Sequence, residues 1–84
     1  MTFTIIWSSQ TKRILESLER EVASRISKKL ESICEDPYRF LTKLINEKAW
    51  KLRVGDYRII IDIDNEKSIL YILDIGHRSS IYKR

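Results

Sequence analysis

Little in this chain can staple or anchor it from outside. Its 84 residues include a single cysteine, Cys34, so an internal disulfide is excluded and a cysteine-based metal site has no second thiolate. A reducing, cytoplasmic setting is the simplest reading of that cysteine usage. There is one histidine, His77, and one proline, Pro37. The two glycines are Gly55 and Gly76, which leaves no glycine-rich loop, linker or low-complexity segment. No apolar run reaches the length of a membrane span. The start, Met1–Trp7, lacks the basic opening and small-residue cleavage site of a secretory leader. Asp62 and Asp74 have no spacing partner that would form a carboxylate metal site, so neither metal nor cofactor is expected.

What remains is an ordinary globular composition, 43% hydrophobic and 33% charged, in a length that suits one small domain over residues 1–84. The formal charge is +4, and its distribution is uneven. The first 36 residues carry six Lys/Arg and six Asp/Glu; the other 48 carry ten and six. The cationic excess therefore belongs to the C-terminal half, which points to an anionic partner there.

Phe3–Trp7 is β-branched and aromatic and predicts a strand. Ser8 or Ser9 offers an N-cap. Ile14, Leu15, Leu18, Val22, Ile26, Leu30 and Ile33 then recur at spacings of three and four. That is an amphipathic helical stripe with no internal Gly or Pro, so pattern alone leaves open one long helix or two joined near Glu19–Glu21. Asp36-Pro37 closes it. Three strands are predicted beyond the connection 38–47: residues 48–54, 57–63 and 68–75, with 64–67 as the second turn. Ile69–Leu73 is apolar throughout, which suits an interior strand covered on both faces.

Gly55-Asp56 reads as a two-residue turn of type II′, with glycine at the first central position. That turn sets a register in which Val54 faces Tyr57, Arg53 faces Arg58, Leu52 faces Ile59 and Trp50 faces Ile61. Side chains alternate between faces. Trp50, Leu52, Val54, Tyr57, Ile59 and Ile61 then share an apolar side, and Lys51, Arg53 and Arg58 gather on the other. Like charges directly opposite each other are destabilising unless an anion offsets them. The expected architecture is α+β: β-α-α-β-β-β, an antiparallel sheet with two N-terminal helices on one face and a cationic face left open.

The segment Lys51-Leu-Arg-Val-Gly-Asp-Tyr-Arg-Ile-Ile60, followed by Ile75-Gly-His-Arg78 and Ile81-Tyr82, resembles the RelE/ParE superfamily of toxins from type II toxin–antitoxin systems. The likeness covers nearly the whole chain and favours two helices. It implies a toxin with a cognate antitoxin as partner, and a toxin–antitoxin complex that binds promoter DNA mainly through the antitoxin. RelE-like members cleave mRNA in the ribosomal A site without a metal ion and so inhibit translation; ParE-like members inhibit DNA gyrase. A degenerate member that only binds its antitoxin is a third reading.

For RelE-like ribonucleases the resemblance implies catalytic roles at Lys51, Arg58, Arg78 and Tyr82, with Arg53 as a binding cation. Arg58 and Arg78 suit stabilisation of transition-state charge, because a guanidinium donates two parallel hydrogen bonds and stays charged. Tyr82 is the candidate general base, its phenol lowered by neighbouring cations. Lys51 is an alternative base or a phosphate clamp. The leaving-group acid is unassigned between Arg78 and His77. Lys48, Lys83 and His77 join Arg53 as RNA-binding candidates, Lys48 from the opposite strand face. This chain has Ala49 where RelE-like ribonucleases place a further lysine.

Overall fold

In a computed structural model the structure describes residues 2–77. The elements are β1 (Thr4–Trp7), α1 (Ser9–Ser17), α2 (Arg20–Ser32), a 3₁₀ turn (Pro37–Arg39), β2 (Thr42–Lys43), β3 (Trp50–Val54), β4 (Tyr57–Asp64) and β5 (Ile69–His77). They form one five-stranded sheet in the order β1-β5-β4-β3-β2, with helical cover on one face. The expected architecture holds, with two refinements. Edge strand β1 pairs parallel to β5, which makes the sheet mixed, and the connection 38–47 contributes the short antiparallel strand β2 against β3.

The helical stripe is divided. Ser8 caps α1, its hydroxyl oxygen accepting from Thr11 N–H at 3.1 Å. Leu18 then turns extended, with φ −82° and ψ 159°, and Glu19 opens α2. No breaker residue forces this. The two helices cover different strands: α1 packs on β5 and β1, α2 on β3. One straight rod cannot follow both ends of a twisted sheet. Ile26, Leu30 and Ile33 are fully buried against Leu52, Ile59, Ile61, Leu70 and Ile72. Trp7, Trp50 and Tyr57 pack on the margin of that core.

The apolar run in β5 is resolved by a bulge. Ile61 faces Ile72 and Ile59 faces Ile75, so β5 holds one more residue than β4 between those pairs. Ile72 and Ile75 thereby both reach the core, while Leu73 is left 50% exposed. β5 lies between β1 and β4, as its composition implied.

Candidate nucleic-acid interface

The β3–β4 hairpin has the register set by its turn. Val54 faces Tyr57, Arg53 faces Arg58, Leu52 faces Ile59, Lys51 faces Ile60 and Trp50 faces Ile61. Gly55 has φ +59° and Asp56 is not in the left-handed region, the pattern of a type II′ turn. Leu52, Val54, Ile59 and Ile61 are buried under the helices. Lys51, Arg53 and Arg58 therefore share the uncovered face, as the alternation requires.

Their surroundings differ. Arg53 is exposed, and its Nε donates to the Gly55 carbonyl at 3.5 Å. Lys51 is half-buried. Arg58 is only 8% exposed although it lies on the open face, and its Nη1 donates to the Tyr57 carbonyl at 3.3 Å. Arg58 faces Gly76 of β5, which has no side chain to compete for that space. Two residues back along β5, on the same face, Asp74 faces Ile60 and is also 8% exposed. One of its carboxylate oxygens accepts from Ile75 N–H at 2.9 Å. The hairpin alone carries no sign of this burial.

The other candidates are placed separately. His77 ends β5 opposite Tyr57, so the register puts it on the helix-side face, and its ring meets Tyr57 edge-on at 5.5 Å between centroids. Lys48 is exposed in the connection just before β3. Arg78, Tyr82 and Lys83 lie outside the described residues. Tyr71, half-buried, faces Asp62 and Ile6 on the open side. Among the described residues no group of three or more His, Cys, Asp or Glu side chains could hold a metal ion, and no helix is long and apolar enough to cross a membrane.

Two buried polar groups escaped the sequence reading. One is Asp74. The other is Thr11, fully buried, whose hydroxyl donates to Ile72 C=O at 3.3 Å and pins α1 to β5. The Ser8/Thr11 spacing signals the cap but not that tertiary bond. Cys34 is a buried thiol that donates to Leu30 C=O at 3.2 Å. Burial, with the charge of Glu31 adding, raises its pKa, as suits a small core residue.

Residues 5–82 match the family described as ParE toxin of type II toxin-antitoxin system, parDE. Toxin RelG of Mycobacterium tuberculosis is 30% identical over 87 residues, covering all of both chains. The fold is that of the RelBE2 toxin–antitoxin complex of M. tuberculosis, with TM-score 0.84 at 23% identity over 93% of this chain and 100% of that one. It is equally that of an archaeal RelE–RelB complex from Pyrococcus horikoshii, with TM-score 0.81 at 23% identity over 95% and 99%. A mutant of Escherichia coli toxin RelE in the free state gives TM-score 0.79 at 22% identity over 99% and 93%. Sequence and fold together place this chain in the RelE/ParE family, as a toxin of a type II toxin–antitoxin system.

Proposed function

We propose that this toxin is a ribosome-dependent mRNA endonuclease that stops translation in the cytoplasm and is neutralised by a cognate antitoxin. The observation that carries this reading is the direct pairing of Arg53 with Arg58, with Lys51 next to them on the same uncovered face. Cross-strand pairing brings the two guanidinium groups to one place on the sheet, and planar, always-charged donors grouped in this way suit a phosphodiester.

Cleavage requires three things. A base takes the proton of the 2′-hydroxyl, whose oxygen attacks the adjacent phosphorus; cations hold the charge that builds on the phosphoryl oxygens; and the departing 5′-oxygen gains a proton as its bond to phosphorus breaks. Arg58 suits the second task. Its burial restricts the guanidinium before substrate arrives, and a preorganised donor needs no reorganisation at the moment of reaction. Lys51, half-buried nearby, is a clamp or a base, and Arg53 a binding cation. Arg78 and Tyr82 complete the proposed catalytic set, as charge stabiliser and base. Lys48, Lys83 and His77 stand as outlying RNA contacts. Antitoxin binding would cover or displace these cations, and the joint complex would bind promoter DNA through the antitoxin.

A gyrase inhibitor is the second reading, favoured by the ParE description of the matching family. Purified toxin added to ribosomes programmed with a defined mRNA separates the two. We expect fragments cut in the A site and unaffected gyrase supercoiling. Intact mRNA together with blocked supercoiling would replace the nuclease by the gyrase inhibitor.

A further inference from the structure

The cationic surface does not end where the hairpin turns. Two guanidinium groups flank Gly55. From the open face, Arg53 Nε donates to its carbonyl oxygen at 3.5 Å. From the helix side, Arg25 of α2 approaches so closely that a Cβ on Gly55 would stand 3.4 Å from Arg25 Nη1. Behind Arg25, an open groove of about 700 Å³ lies between α2 and the turn. Ser24, Lys28, Lys29, Val54 and Glu21 line it with Arg25 and Gly55. Arg25 and Lys28 are exposed. Lys29 is half-buried, its ammonium 5.1 Å from the centre of the Phe40 ring. Among the described lining residues Glu21 is the one carboxylate, and it sits in the first turn of α2, where the helix dipole favours an acid.

We propose that this groove continues the open face as one track for a single RNA strand, whose sugar–phosphate backbone crosses the hairpin tip at Gly55. The inference rests on the nucleic-acid reading of the open face and extends it to the opposite side of the turn. Three observations favour a phosphate backbone over a protein segment. The cations of the two faces meet at one residue, so a chain of regularly repeated anions can pass from one set to the other. That residue has no side chain, which lets a backbone come close. The described lining carries three cations, Arg25, Lys28 and Lys29, against the single carboxylate of Glu21, an excess that suits a polyanion.

The test is salt-dependent binding of a labelled 2′-O-methyl RNA, which cannot be cleaved, to the full-length toxin. A strand on the order of 12 nucleotides can span both faces, and one of about three nucleotides only the open face. Each phosphate neutralised on a single strand contributes about 0.7 to the slope of log K against log salt, so R25Q/K28Q should lower the slope for the long strand by about 1.4. Binding of the short strand should not change, and R25K/K28R should restore the wild-type slope. Thermal melting of the variants checks their folding; Lys29 is left intact because it covers Phe40. An unchanged slope in R25Q/K28Q overturns the track. So does wild-type toxin that binds the two strands with equal slope. Normal RNA binding by R25Q/K28Q with lost antitoxin binding would also overturn it and assign the groove to protein. Wild-type toxin that shows the predicted slopes but cuts no ribosome-bound mRNA would remove the nuclease and leave the track supported.

Discussion

Arg53 and Arg58 face each other across two strands, yet removing them should have separable effects. Arg53 is exposed, so Arg53→Ala should weaken RNA binding and its salt dependence while leaving the melting temperature almost unchanged. Arg58 is buried in a polar corner beside Gly76 and Asp74. Arg58→Ala should reduce cleavage by about 10²-fold, as expected for loss of a transition-state donor. It should also cost about 1–3 kcal/mol in urea unfolding, because buried polar surroundings lose a charged group. A fully stable but inactive Arg58→Ala would mean that its burial carries no structural weight. The pairing of these arginines was readable from two residues, Gly55 and Asp56. The burial of Arg58 was not, because a hairpin register fixes the face a side chain takes and not what covers it. Residues that act through distant partners, such as Thr11 and Asp74, leave no local mark.

At the scale of elements, the hairpin was legible and the helices were only partly so. A two-residue turn leaves one register that puts Leu52, Val54, Ile59 and Ile61 on one face, and a slip by one residue would send all four to water. That determinacy depends on Gly55, at φ +59°. Gly55→Ala should cost about 1–2 kcal/mol from backbone strain alone. The added Cβ meets only the mobile end of Arg25, so crowding should contribute little. Equilibrium unfolding checks the size of the loss; a neutral substitution would show that the turn adopts another type without penalty. The split of the helical stripe was undetermined by periodicity because neither Gly nor Pro marks it. Leu18 leaves the helix for a tertiary reason, the division of strands between α1 and α2.

For the whole molecule, alternation and helical period were enough to place helices on one sheet face and cations on the other. They could not say that β1 runs parallel to β5, nor that residues 42–43 add an edge, because pairings between segments far apart in the chain have no nearby turn to fix them. Among the described residues, every buried hydrophobic residue of the core cluster lies between Ile26 and Ile75. Arg78 and Tyr82, half of the proposed catalytic set, follow that cluster in the sequence. A chain ending at His77 should therefore still unfold cooperatively and keep a circular dichroism spectrum of mixed helix and strand. Its cleavage of ribosome-bound mRNA should fall by at least about 10²-fold, since it loses both a charge stabiliser and a base. It should retain part of its RNA binding through Lys51, Arg53 and Arg58. A truncated chain that cuts as fast as the full one would shift the whole of the chemistry onto the β3–β4 hairpin, and one that cannot fold would make those last residues part of the scaffold.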